Sequence, residues 1–126
     1  MSRVIAEKRI FFIEEEPYVK QLVKACLKDS GFTVFDFEDP MEAKLLIDEK
    51  KPHIILSAIM FQKENGVSFL KDVKSNPEWK NIPFVFYTNL DVQSVQNEAV
   101  ELGVDGYLLK SVVSPEKVVE EINKRI

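Results

Sequence analysis

Three stretches of this sequence place oxygen- or nitrogen-bearing side chains directly behind short apolar runs. Glu14, Glu15 and Glu16 follow residues 10–13, Thr88 and Asn89 follow residues 84–87, and Lys110 and Ser111 follow residues 107–109. The run 54–59 contains Ser57 and Ala58 and leads into a loop that reaches Gly66. Neighbouring carboxylates are the donors that a hard divalent cation such as Mg²⁺ takes. A threonine hydroxyl and a lysine ammonium suit a phosphoryl group, the first as hydrogen-bond donor and the second as a point charge. These groups form one site only if the fold gathers the ends of the apolar runs on one edge.

The spacing of the runs supplies such a fold. Residues 10–13, 32–37, 54–59, 84–87 and 107–109 are β-branched and aromatic without polar alternation, which suits strands buried on both faces. Between them lie helical stripes. Val19, Leu22, Val23, Cys26 and Leu27 share one face, as do Val92, Val95, Ala99 and Leu102, and Val118, Val119, Ile122 and Ile126. Ala43, Leu46 and Ile47 form a shorter stripe, and Val67, Leu70 and Val73 a less regular one. Pro17, Pro40 and Pro115 stand where helices begin, Asp39 and Ser114 are placed to cap two of them, and Gly31 and Gly103 stand just past two helix ends. Pro52 and Pro83 precede strands.

Five strand–helix alternations predict an α/β fold, a doubly wound parallel sheet between two helical layers, with the common strand order 2-1-3-4-5. Ligands of such sheets bind beyond the carboxyl ends of the strands. All three polar stretches, and the end of the run 54–59, fall at that edge.

Composition narrows the function classes. The 126 residues fit one domain, 1–126, with an ordinary apolar fraction of 45%. The single cysteine, Cys26, excludes an internal disulfide framework. The net charge of −4, with basic residues scattered, argues against direct nucleic-acid binding. The longest apolar stretch, 54–61, is far short of the roughly twenty residues a membrane span needs. Arg3, Glu7, Lys8 and Arg9 interrupt any secretory leader core, so a soluble, cytoplasmic protein without a membrane partner is expected.

Taken together, the motifs make the chain resemble a receiver (response-regulator) domain of bacterial two-component signalling, with a flavodoxin-like, chemotaxis-receiver-like architecture. Glu14 and Glu15 match the family's acidic pair, Thr88 its hydroxyl residue, Lys110 its lysine and Tyr107 its aromatic switch residue. The segments Asn65-Gly66, Asn81-Ile82-Pro83 and Leu102-Gly103-Val104-Asp105-Gly106-Tyr107 fit the family in order and spacing. The resemblance implies phosphorelay signal transduction, with a kinase, an output domain or another regulator as partner, and self-association as a homodimer is an option.

One departure matters more than these matches. Eight residues before Gly66, where the family carries its phosphoaccepting aspartate, stands Ala58. The family reaction is attack of that aspartate on a phosphohistidine or a small phosphodonor. A methyl group has no lone pair to attack with. Gln62 and Ser111 also replace prolines common in the family. The expectation is therefore a pseudo-receiver that is not an enzyme, works by protein–protein contact and carries no cofactor. Thr88 and Lys110 are phosphate-pocket relics, and Glu14 and Glu15 form a weak or lost Mg²⁺ site, with one of them pairing Lys110. Two other readings remain at this level: an ordinary phosphoaccepting receiver whose aspartate is replaced by Ala58, and a flavin- or nucleotide-binding protein on the same fold. Glu14-Glu15-Glu16 would repel the phosphate of the latter.

The remaining polar or aromatic residues point to structure. Ser57 is expected to face a helix-packed layer and not the pocket. Glu16 is read as an acidic residue favoured by a helix dipole. His53 is the sole histidine, so a His-based triad or multi-histidine metal site is excluded. Cys26 is expected in an apolar stripe, Trp79 over a core edge, and Tyr107 on a partner face shared with residues 92–102 and 118–126.

Overall fold

The computed structural model describes residues 7–126, so Arg3 lies outside the described residues. Strands β1 (Lys8–Ile13), β2 (Phe32–Phe37), β3 (Ile54–Ser57), β4 (Phe84–Thr88) and β5 (Gly106–Leu109) alternate with helices α1 (Pro17–Asp29), α2 (Pro40–Lys50), α3 (Gly66–Ser75), α4 (Gln93–Glu101) and α5 (Pro115–Asn123). All ladders are parallel and the strand order is β2-β1-β3-β4-β5, as the alternation predicts.

Side-chain alternation along the strands builds two cores. Phe11, Ile13, Ile55, Phe84 and Phe86 face α2, α3 and α4, meeting Ala43, Ile47, Phe69, Leu70 and Ala99. Ile10, Phe12, Ile54, Leu56, Val85 and Tyr87 face α1 and α5, meeting Val23, Leu27, Val118 and Ile122. The inner strands are apolar on both faces because both faces are covered. The outer strands depart from the expectation of full burial: four of the six β2 residues and three of the four β5 residues are only half-buried, since each outer strand has one neighbour. Phe11, Phe12, Phe69, Phe84 and Phe86 are fully buried. Each contributes about 1.5–3 kcal/mol on removal from water, and Phe84 stacks edge-on against both Phe69 and Phe86.

The punctuation is where the sequence places it. Pro17, Pro40 and Pro115 occupy first turns; Asp39 Oδ1 accepts from the Glu42 amide at 3.1 Å and Ser114 Oγ from the Lys117 amide at 3.4 Å. Gly31 and Gly103 have φ of +90° and +88°, a left-handed conformation that a side chain would strain. Helix α2 ends on a non-glycine residue, Lys51, in the left-handed region (φ 49°). The carbonyl of Lys51 accepts from the Arg9 guanidinium at 2.9 and 3.0 Å. His53 is structural: its Nδ1 accepts from the Arg9 amide at 3.0 Å. Cys26 is half-buried against the α1 side of the core, and burial pushes its thiol pKa up, helped by the nearby Glu116 and Asp29 charges. Trp79, in the segment entering β4, packs on the core edge and donates from Nε1 to Asp48 of α2 at 2.8 Å.

The loop from β3 to α3 is held by a close backbone approach. The Gly66 amide donates to the Ile59 carbonyl at 2.6 Å, and Asn65 Oδ1 caps α3 through the Val67 amide at 2.7 Å. A Cβ at Gly66 would collide with the Ala58 carbonyl oxygen and lie 2.7 Å from Ile59 Cα. Only glycine lets the chain double back there and keep Ala58 at the sheet edge.

Candidate functional site: an acidic cleft at the carboxyl edge of the sheet

Glu14, Glu15, Ala58, Thr88 and Lys110 line one cleft of about 720 Å³ at the carboxyl ends of β1, β3, β4 and β5. The sequence-predicted groups therefore converge. The cleft also has an apolar side, Met60, Phe61 and Leu90, that the sequence reading did not assign. No local motif marks those residues; they enter through loop conformation. Glu16 lines the cleft as well, at the N-cap of α1 and without a side-chain capping bond, so it is more than the dipole partner the sequence suggests. Ser57 is fully buried, does not line the cleft, and donates from Oγ to the Ala58 carbonyl at 2.7 Å.

Lys110 Nζ lies 2.7 Å from Glu14 Oε1, with Glu14 only 3% and Lys110 16% exposed. The contact is a close ion pair, and Glu14 Oε1 has no further side-chain or backbone partner among the described residues. Glu14 Oε2 accepts from the Glu16 amide at 3.1 Å, which fixes the turn into α1. Glu15 Oε2 accepts from the Gln62 amide at 3.0 Å, which ties that turn to the β3–α3 loop. Lys110 also sits 5.9 Å from the Tyr87 ring centroid. Burial raises the Tyr87 pKa, and the charges of Glu14 and Glu116 add to the shift.

The second half of the site is a clamp on Leu90. Thr88 Oγ1 accepts from the Leu90 amide at 3.1 Å, and the Tyr107 hydroxyl donates to the Leu90 carbonyl. Tyr107 is half-buried, 5.9 Å centroid to centroid from Phe86. Burial raises its pKa, with the Asp91 charge adding to the effect. The Lys110 amide donates to the Thr88 carbonyl at 2.8 Å, so the ion pair and the clamp share one backbone junction. No peptide bond among the described residues is cis, and Lys110–Ser111 is trans, as expected for a non-proline residue.

The donors present do not fit a resident Mg²⁺. Such an ion needs near-octahedral oxygen ligands, and three of the four carboxylate oxygens of Glu14 and Glu15 are committed to Lys110, Glu16 and Gln62. Ala58 adds no oxygen from its side chain. Among the described residues no three His, Cys, Asp or Glu side chains converge on a point suited to a metal. None of the described helices is long and apolar enough to cross a membrane.

Comparison with known proteins agrees with this architecture. The chain is 29% identical over 115 residues to the phosphate regulon transcriptional regulatory protein PhoB of Escherichia coli, covering 91% of this chain and 50% of PhoB. It thus spans about half the length of that relative. The phosphorylated cyanobacterial phytochrome response regulator RcpA superposes with a TM-score of 0.85 at 26% identity, over 94% of this chain and 93% of RcpA. The chemotaxis protein CheY4 of Vibrio cholerae superposes with a TM-score of 0.88 at 21% identity, over 96% and 100% of the two chains, a likeness of fold. The family model of the response regulator receiver domain matches residues 10–123, and with the strand order and the Thr88–Lys110 cleft in place, this chain belongs to the response regulator receiver family.

Proposed function

We propose that this chain is a pseudo-receiver: it signals by protein–protein contact, is not an enzyme, and does not undergo aspartyl phosphorylation. The observation that carries this reading is Ala58 at the head of the cleft, with the ammonium of Lys110 turned onto Glu14. The family reaction needs an oxygen nucleophile at that position and a lysine free to meet the phosphoryl group; a methyl group and a paired lysine supply neither. Ser57 is no substitute, because its hydroxyl is buried away from the cleft.

The contact surface is α4, β5 and α5, with Tyr107 at its centre. Val92 and Val100 are exposed there beside Gln93 and Asn97, a mixed surface suited to reversible association with a kinase, an output domain, another regulator or a second copy. RcpA, a relative of similar length, is described in phosphorylated form, so the two readings separate experimentally. Incubation with acetyl phosphate and Mg²⁺ should leave the intact mass unchanged. A stable added phosphoryl group on any cleft residue would reinstate the phosphoaccepting reading.

A further inference from the structure

Helix α2 is filled on its inner face and bare on its outer one. Ala43 and Ile47 are buried in the core and Leu46 packs against it, whereas Met41 and Leu45, one turn apart, are 64% and 78% exposed. A helix at a protein surface ordinarily turns polar side chains outward. One exposed leucine needs no explanation. Two large apolar side chains stacked at i and i+4 are different, because they form the kind of stripe by which helices recognise one another. Acidic groups surround this stripe. Glu38, Glu42, Asp48 and Glu49 are all exposed, and each lies beside Met41 or Leu45 in sequence or three to four positions away. Next to the first turn, Glu15, Glu38, Asp39 and Glu42 line a groove of about 140 Å³ with Gln62 and Lys63 of the β3–α3 loop. That lining holds four carboxylates and one ammonium. Lys44, in the middle of α2, is committed to Glu64 and Asp72 at 3.0 Å each.

We propose that the outer face of α2 docks a basic amphipathic helix of a partner protein, whose apolar side chains cover Met41 and Leu45 while an arginine enters the groove beside the first turn. Charge decides the occupant. The carboxylates around the stripe attract a cationic segment and speed its encounter with this face. They oppose a second copy placed face to face, because the same carboxylates would meet, and they oppose an anionic lipid surface. Arginine suits the groove better than lysine, since its planar fork of donors matches carboxylates two at a time. Helix α2 packs over β1 and β2, and β2 is the sheet edge opposite β5. A helix seated on α2 therefore leaves the Tyr107 face open to another partner.

Phosphorylation of the cleft has no bearing on this contact, so the acetyl phosphate test and the following one fail separately. The probe is a synthetic peptide of about 18 residues, above the length at which isolated helices are marginal. It carries leucines along one helical stripe and arginines on both flanks. It is titrated into the whole chain by calorimetry and two-dimensional NMR. Binding should be saturable, with amide shifts centred on residues 38–49 and 62–63. The double variant Met41→Gln/Leu45→Gln and the single variant Glu42→Lys should each weaken it by at least about tenfold, the scale of losing a central contact. A peptide of the same composition with leucines and arginines shuffled should bind the parent more weakly by a similar factor. Because Met41 and Leu45 are exposed, their double variant should melt within about 3 °C of the parent. Absence of saturable binding, shifts centred on residues 92–107, equal affinity for the shuffled peptide, or unchanged affinity in the double variant each overturns the proposal. A larger fall in melting temperature does so too, by showing that the stripe belongs to the fold. Sedimentation of the chain alone and flotation with phosphatidylserine vesicles test the other occupants: a dimer or a vesicle complex that Met41→Gln/Leu45→Gln abolishes would assign the face to a second copy or a membrane instead.

Discussion

Breaking the Glu14–Lys110 pair from each side separately should give unequal costs that do not add. In Lys110→Met the Glu14 carboxylate stays in a site that is 3% exposed, with Oε1 stripped of the ammonium beside it. Removing one partner of a fully buried pair costs about 3–5 kcal/mol. Lys110 is 16% exposed and the cleft is open to water, so the expected loss falls below that range, about 2–3 kcal/mol. In Glu14→Gln the amide oxygen can still accept from the Glu16 amide, and the freed lysine can turn to Glu15 or to solvent, so the loss is about 1–2 kcal/mol. The double variant removes both charges at once and should be more stable than the sum of the single losses implies, with a coupling of about 1–3 kcal/mol. Urea unfolding followed by far-ultraviolet circular dichroism measures all four proteins, provided the denaturant slope is shared. At this chain length 1 kcal/mol corresponds to roughly 3–6 °C in Tm. Additivity within about 0.5 kcal/mol would refute the pairing as an energetic feature of the cleft.

Other expected outcomes test other parts of the molecule. Burial disfavours the Asp36 charge, but the hydrogen bond and charge of Lys24, at 2.8 Å, outweigh it and hold the carboxyl below its ordinary value. A depressed folded-state pKa adds stability above the unfolded value near 4, lost as pH falls through the lower folded value. Lys24→Met should therefore lose up to about 1 kcal/mol at neutral pH for this half-exposed pair, and the parent and variant melting curves should converge in acid; a gap that persists there would contradict the assignment. Gly66→Ala should cost about 1–3 kcal/mol, because the new methyl meets backbone at Ala58 and Ile59; a thermal melt unchanged from the parent would show that the loop yields freely. Ala58→Asp places a third carboxylate beside Glu14 and Glu15, so its Tm should fall in chelator and rise with Mg²⁺ more than the parent's does; equal responses would mean the remaining residues are no latent receiver pocket. Tyr107→Phe deletes the hydroxyl that holds the Leu90 carbonyl and should broaden the amide resonances of residues 89–92; unchanged spectra would show that Thr88 alone sets that loop.

What could be read from the sequence divides along a physical line. The strand positions, helix starts and glycine stops were legible because each depends on local chemistry: proline without an N–H, glycine at positive φ, and apolar runs long enough for one strand. The strand order followed from the common winding of such alternations. The pairing of Lys110 with a glutamate was also foreseeable, since a lysine facing carboxylates with no phosphate to bind has no better partner. The choice of Glu14 over Glu15 was not. It depends on β1 carrying Glu14 into the interior while Glu15 turns to the Gln62 amide, a matter of strand register and loop path. The apolar side of the cleft was hidden for the same reason: Met60 and Phe61 lie in a loop whose course is set by the Gly66–Ile59 hydrogen bond. The half-buried β2 shows the reverse error: its largely apolar run reads as a strand covered on both faces, although the order 2-1-3-4-5 already leaves it one neighbour at the sheet edge.

The single tryptophan has a practical consequence for any optical study of this protein. Trp79 lies five residues before β4 begins, and the cleft lies where β4 ends, at Thr88, so the whole strand, at about 3.3 Å per residue, stands between them. Its indole is fixed to Asp48 of α2, so its emission reports the seam between that helix and the β4 approach. Loss of the whole fold exposes the indole and shifts the signal, which makes tryptophan fluorescence a sound monitor of unfolding. A small ion or phosphodonor entering the cleft would leave the indole's surroundings unchanged. A flat fluorescence titration is therefore uninformative about Glu14 and Lys110, while a change at constant fold points to a partner touching the α2 flank.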